Sequence, residues 1–163
     1  MEATMIVPFI VSLFGHRQIE DWRQLDDQFT RLIKKLLQTK TYVSFLIGRN
    51  GEFDEYAASM IKTVQRETGK ENSDITLVLP YTVANMEYYE SYYDSIVIPD
   101  CVYRAHPKTA ITQRNRWMIE QADLVIIYIE RNNGGAYSAW KYAKKQDKQI
   151  ICLDQARNRE DFP

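Results

Sequence analysis

Cysteine, histidine and glycine are scarce in this chain, and neither sign of charge dominates. Two cysteines, Cys101 and Cys152, cannot build a disulfide framework. Two histidines and no paired-cysteine motif give no expectation of a metal site. Lys and Arg number 21 against 22 Asp and Glu, for a net charge of −1. Proteins that live on nucleic acid usually carry a basic excess, so the balance disfavours nucleic acid as a partner. The apolar run from Met5 to Phe14 is broken by Pro8 and Ser12 and falls short of the roughly 20 residues of a membrane span. Glu2 precedes it and Gly15-His16-Arg17 follows, which is not the layout of a secretory signal. The expectation is a cytoplasmic chain with reduced thiols and no membrane contact. Neither GxGxxG nor GxxxxGK[ST] occurs, so neither the dinucleotide fingerprint nor a P-loop is present.

What is present is ordinary globular composition, 45 % hydrophobic and 26 % charged, over 163 residues, which predicts one domain spanning 1–163. Apolar runs alternate with helical periodicity. Ile6 to Phe14 is almost continuously apolar, as in a strand buried on both faces. Ile19 to Thr39 follows with Trp22, Leu25, Phe29, Leu32, Ile33, Leu36 and Leu37 at spacings of three and four, the pattern of an amphipathic helix. Tyr42 to Ile47 reads as a strand and Glu52 to Thr68 as a helix closed by Gly69. A strand over Ile75 to Leu79 stops at Pro80. Pro107 suits the first position of a helix running to about Gln121. Leu124 to Ile129 is a strand, Ala136 to Gln146 a helix and Gln149 to Leu153 a fifth strand. This alternation predicts a doubly wound α/β domain, a mostly parallel five-stranded Rossmann-like sheet with helices on both faces and a core over about 6–153. Residues 81–106 are expected to be irregular, with a short helix and an extended Ile96-Val97-Ile98. They hold Tyr81, Tyr88, Tyr89, Tyr92 and Tyr93 and have the length of a lid, the other reading being a segment packed against the sheet edge.

Apart from Gly69, every glycine falls between an expected strand and the next helix: Gly15, Gly48, Gly51, Gly134 and Gly135. Ligands of open α/β sheets bind at those strand ends. The polar residues at the same turns are cationic or amide-bearing: His16 and Arg17, Arg49 and Asn50, Arg131, Asn132 and Asn133. Arg114, Asn115 and Arg116 precede the fourth strand, with a solvated role expected for Arg116. Arginines beside helix N-termini suit a phosphate-bearing ligand. The Gly134-Gly135 turn opens a helix whose free N–H groups could hold a phosphate, and Ser138 could add a hydroxyl. Glu52 and Asp54 begin another helix, where they could bind ribose hydroxyls, attack an anomeric carbon or simply complement the helix dipole. His16 is a candidate base or phosphate donor. Tyr81 or a neighbour could stack on a nucleotide base.

In order along the chain stand Gly15-His16-Arg17, Gly48-Arg49-Asn50-Gly51-Glu52-Phe53-Asp54, Val78-Leu79-Pro80-Tyr81, Arg114-Asn115-Arg116-Trp117-Met118-Ile119 and Gly134-Gly135-Ala136. This set resembles the small bacterial and phage "GHR" proteins of the SLOG superfamily, named for the DNA-processing protein Smf/DprA and the cytokinin-activating LOG enzymes. The resemblance spans about residues 6–153. It implies a Rossmann-like fold, a nucleotide-derived ligand at the strand ends, such as a signalling nucleotide related to NAD or ADP-ribose, and assembly into homodimers or homotetramers. LOG enzymes carry a PGGxGTxxE motif whose glutamate assists N-glycosidic cleavage. With the glycine pair aligned, Tyr137 replaces the third glycine, Ser138 the threonine and Lys141 the glutamate. A lysine cannot stabilise an oxocarbenium-like centre, so LOG-type hydrolysis at that turn is not expected.

The sequence therefore predicts binding or sensing of a nucleotide. The ligand contacts fall to Gly15, His16, Arg17, Gly48, Asn50, Gly51, Glu52, Tyr81, Arg114, Asn115, Gly134, Gly135 and Ser138, and no further cofactor is expected. The alternative is an N-glycosidase or (deoxy)ribosyl transferase using Glu52 or Asp54, with His16 as proton carrier. A third reading is a non-catalytic interaction scaffold.

Overall fold

A computed structural model of the chain describes residues 5–20, 22–49 and 51–153. Among the described residues six strands alternate with five helices. In chain order these are β1 (Phe9–Gly15), α1 (Trp22–Thr39), β2 (Val43–Ile47), α2 (Glu52–Thr68), β3 (Ser73–Val78), α3 (Met86–Tyr92), β4 (Ser95–Val97), α4 (Pro107–Gln121), β5 (Leu124–Tyr128), α5 (Gly134–Lys145) and β6 (Gln149–Cys152), with a 3-10 turn at Asp100–Val102.

All strand pairs are parallel, in the order β4-β3-β2-β1-β5-β6. The chain winds outward from β1 to β4, then returns to place β5 on the other side of β1. The order reverses between β1 and β5, whose carboxyl ends lie in register with Gly15 beside Tyr128. A crevice opens outside the sheet at such a switch point.

β1 starts at Phe9 rather than Ile6. Pro8 has no N–H to give to the ladder, and the first cross-strand bond runs from the Phe9 N–H to the Tyr42 carbonyl at 2.8 Å. Met5, Ile6 and Val7 are exposed. The sheet is covered on both faces. Leu25, Phe29 and Ile33 of α1 and Phe53, Ala57 and Ile61 of α2 pack with Val11, Leu13 and Phe45 on one face. Met118 and Ile119 of α4 and Ala136, Ala139 and Ala143 of α5 pack with Phe14, Val125 and Ile127 on the other. Complete burial of a side chain such as Phe53 contributes about 1.5–3 kcal/mol. Ser12 satisfies its buried hydroxyl by donating to the Met118 carbonyl at 2.7 Å, which ties β1 to α4.

The five-stranded expectation is corrected by β4, and the segment 81–106 is less irregular than its composition suggests. Ser95, Ile96 and Val97 pair with Thr76, Leu77 and Val78 as a sixth, edge strand. Three residues ended by an Ile-Pro step leave a weak strand signal. The tyrosines of and beside α3 pack on one another: Tyr88 stacks on Tyr92 with centroids 6.1 Å apart, and Tyr92 meets Tyr93 edge-on at 5.0 Å. Lys62 of α2 lies 3.5 Å from the Tyr92 ring centre, a cation–π contact that fastens α3 to the body of the domain. Among the described residues no helix is long and apolar enough to cross a membrane.

Candidate functional site

A pocket of about 390 Å³ occupies the switch point. α4 presents one wall: Ile111, Arg114, Asn115 and Met118, spaced i, i+3, i+4 and i+7, share one helix face and all line it. β1 and its loop supply Phe14, Gly15, His16 and Arg17. The loop after β5 and the start of α5 supply Arg131, Asn133, Gly134, Gly135 and Ala136. Gly48 and Asp54 close it from the β2–α2 turn.

Arg114 is the fixed cation of the site. It is 2 % exposed, yet hydrogen-bonded: Nη1 donates to the Val78 carbonyl at 2.8 Å and Nε to Asn115 Oδ1 at 2.8 Å. Burial pushes its pKa below the usual arginine range, and nearby Asp54 acts in the opposite direction. Removing a guanidinium from water carries a large desolvation penalty, which these partners offset. Gly48 makes this placement possible: a Cβ there would lie 2.9 Å from Arg114 Nη1 and 3.3 Å from Asp54 Oδ2. The glycine lets cation and carboxylate approach the end of β2.

The turn into α5 has a different character. Gly134 has φ +87°, a backbone that side chains rarely adopt, and nothing lies within 4 Å of a Cβ at either Gly134 or Gly135. The N-cap Asn133 makes no side-chain capping bond. α5 thus begins without a side-chain cap and without an acidic residue in its first turn, and its first residues line the pocket. Arg131 donates its backbone N–H to His16 Nε2 at 3.3 Å, which joins the β5 and β1 loops across the switch point. As the acceptor, that Nε2 carries a lone pair. The Arg131 side chain sits 3.8 Å from Glu130.

The expected site residues separate into groups. Gly15, His16, Arg17, Gly48, Asp54, Arg114, Asn115, Gly134 and Gly135 come together around the pocket. Tyr81 does not line it. With Arg17, Arg49 and Ile111 it lines an adjoining depression of about 300 Å³, so Arg17 and Ile111 are common to both. Gly51 and Glu52 hold loops instead. A Cβ on Gly51 would lie 2.3 Å from Arg17 Cα, the Glu52 N–H donates to the Arg17 carbonyl at 2.9 Å, and Glu52 Oε2 accepts from the Ile19 N–H at 2.8 Å. These contacts clasp the β1–α1 loop to the start of α2. Ser138 is exposed on α5, a turn beyond its start, and is not part of the pocket wall. Lys141 lies 5.7 Å from the Tyr137 ring centre, likewise away from the pocket. Arg116 is exposed, 5.1 Å from the Tyr142 ring centre, as its solvated role requires. Asn50 lies outside the described residues. Pocket residues not ranked from sequence are Arg131, Asn133 and Ala136, which flank the glycine pair, and Phe14, Ile111 and Met118. The 3.6-residue periodicity leading to Arg114 signals Ile111 and Met118.

No family model matches the chain. No curated protein matches it. Solved structures do. DNA processing protein A from Helicobacter pylori, described for its single-stranded DNA binding mode, superposes with a TM-score of 0.59 at 17 % identity over 89 % of this chain. This chain spans 65 % of that protein's length. The Moco carrier protein of Chlamydomonas rheinhardtii superposes with a TM-score of 0.52 at 12 % identity, over 95 % of this chain and 85 % of the other. The first likeness overturns the expectation against nucleic acid, because a chain of this fold binds single-stranded DNA. The charge argument failed because a net −1 averages the whole surface, whereas Arg17, Arg49, Arg114 and Arg131 gather at one sheet edge. What this chain shares with both structures is a Rossmann-like α/β fold with a parallel sheet.

Proposed function

We propose that the switch-point pocket binds the phosphate end of a nucleotide, and that the protein is a nucleotide-binding or nucleotide-sensing module of the SLOG type. The observation that carries this reading is the convergence of Arg114, held by the Val78 carbonyl, with the uncapped start of α5 on one cavity. A helix N-terminus favours an anion by about 0.3–1 kcal/mol at an exposed site and up to about 2 kcal/mol in partly buried geometry. A fixed guanidinium adds bidentate, charge-assisted hydrogen bonds. Arg17 and Arg131 extend the same positive surface.

A second reading follows from the fold shared with DNA processing protein A: the phosphate belongs to a single-stranded oligonucleotide. The adjoining depression with Arg17, Arg49 and Tyr81 gives such a strand a way along the sheet edge. A catalytic version rests on Asp54, the acidic candidate that lines the pocket; its carboxylate would serve at an anomeric carbon.

The test is the melting temperature of the protein with AMP, ADP, NAD, ADP-ribose and oligo(dT), each mixture then analysed by mass spectrometry. A ligand at about 100 times its Kd adds about 2.7 kcal/mol. Stabilisation by an intact small nucleotide supports the module. Stabilisation by oligo(dT) alone, with steep salt dependence, supports the strand reading. Release of free base supports the catalytic one. Absence of any shift overturns all three.

A further inference from the structure

Beyond Tyr81 the sheet edge changes chemistry. A third hollow, about 400 Å³, is walled by Pro80, Tyr81, Val102, Tyr103, Pro107 and Ala110 among others. It shares Pro80 and Tyr81 with the arginine-lined depression, which in turn shares Arg17 and Ile111 with the switch-point pocket. The three hollows therefore adjoin in sequence along the carboxyl ends of the strands. α4 is their common wall: Pro107 and Ala110 face the third hollow, Ile111 the middle, and Arg114, Asn115 and Met118 the phosphate end. From Arg114 to Pro107 the helix advances about 10 Å. Tyr81 links the far hollow to the arginine-lined depression, since it lines both.

The far hollow has little with which to read hydrogen bonds. Its side-chain polar groups are the Thr82 hydroxyl and the two phenols, each able both to donate and to accept. The N–H groups of Val102, Tyr103 and Ala105 are taken by carbonyls of the 3-10 turn and its flank. Tyr103 is 69 % exposed and Tyr81 46 % exposed, large aromatic faces left to solvent beside buried apolar walls. Such faces suit a flat ring from a ligand anchored elsewhere.

We propose that this hollow is the base subsite of the same ligand, and that it holds the base by stacking against Tyr81 and Tyr103 without selecting among bases. The proposal rests on the nucleotide reading of the switch-point pocket. It makes the recognised class a nucleotide of any base, specified by its sugar-phosphate end.

The experiment compares AMP, GMP, CMP and UMP with ribose 5-phosphate by calorimetry, on the wild type and on Tyr103→Ala, Tyr103→Phe and Arg114→Gln. The four nucleotides should bind within about fivefold of one another, because stacking is tolerant of base identity. Ribose 5-phosphate should bind at least about fivefold more weakly, the low end of what one stacked base contributes. Tyr103→Ala should weaken the nucleotides by a similar factor and leave ribose 5-phosphate unchanged, while Tyr103→Phe keeps nucleotide affinity. One base preferred over the others by about a hundredfold overturns the base subsite, a discrimination that needs hydrogen-bond readout. So does Tyr103→Ala without effect beside an Arg114→Gln that abolishes binding. Either result leaves the phosphate pocket standing. Failure of every probe to bind the wild type removes the phosphate pocket itself, and the base subsite with it.

Discussion

The Arg114 guanidinium reaches from the middle of α4 to the Val78 carbonyl at the end of β3, 2.8 Å away, and this bond fixes a cation at the floor of the switch-point crevice. The same side chain holds Asn115 Oδ1 at 2.8 Å, so its position is set from two sides before any ligand arrives. A pre-positioned donor loses little entropy on binding, which is where the phosphate affinity of such a site originates.

Arg114→Gln should therefore remove most of the binding while leaving a folded protein. Losing a charge-assisted contact costs about 1.5–3 kcal/mol, more than tenfold in affinity. The Val78 carbonyl loses its donor, which lowers stability by about 1–3 kcal/mol. Thermal unfolding and ADP titration on the same preparation separate the two effects. An unchanged affinity would remove Arg114 from the site.

The glycines should divide by the neighbours they have. In Gly15→Ala the new Cβ would fall 2.1 Å from the Phe53 ring, inside a fully buried contact. Overpacking of this kind destabilises by about 1–3 kcal/mol, read as a lower denaturation midpoint. Gly48→Ala should instead displace the Arg114 guanidinium and weaken binding more than stability, because its nearest neighbour is the end of a side chain.

The two carboxylates should also part company. Glu52→Ala removes the acceptor of the Ile19 N–H and should cost about 1 kcal/mol of stability. If the protein cleaves an N-glycosidic bond, Asp54→Asn should abolish base release and Glu52→Gln should not. Base release measured by mass spectrometry on both variants decides it, and turnover surviving in Asp54→Asn would remove the catalytic role of that residue.

Alkaline pH should destabilise the fold through its tyrosines. Burial, then the hydrogen bond to and charge of Asp74, push Tyr42 up to about 12. Burial and the Asp26 carboxylate push Tyr56 up further, and burial does the same for Tyr93. The fold favours the neutral phenols, whereas unfolded phenols ionise at about 10. Their contribution is complete below pH of about 10 and is lost as pH rises through the folded values. A melting temperature that falls from pH 10 to pH 12, with a shallower fall in Tyr56→Phe, is the expected result; identical slopes in the two proteins would exclude Tyr56.

The sheet and helices were legible because both-face burial writes itself as continuous apolar runs and helix burial as spacings of three and four. Glu52–Thr68 and Pro107–Gln121 match their expected limits, the latter set by proline at its start. β4 was not counted because three edge residues give no periodicity. The clustering of glycines marked the sheet edge where the switch-point pocket lies, but for several of them the cause is packing: Gly15 makes room for Phe53, Gly48 for Arg114 and Gly51 for Arg17. Glu52 looked like a ligand group because sequence shows its place at a helix start and not the Ile19 N–H it accepts from. The nearly balanced net charge concealed four arginines gathered along one edge, and with them the compatibility of this fold with a nucleic-acid strand.

The central claim, a phosphate resting on the open start of α5, is tested most directly by titrating ADP into the wild type and Gly135→Ala. A Cβ at Gly135 meets no protein atom within 4 Å, so stability should not fall, while a phosphate held against this pocket-lining turn would meet the added methyl. The expected result is saturable binding by the wild type, weakened at least about tenfold in Gly135→Ala, a difference of about 1.4 kcal/mol, at a melting temperature no lower than that of the wild type. Equal affinity for ADP in the two proteins would contradict it.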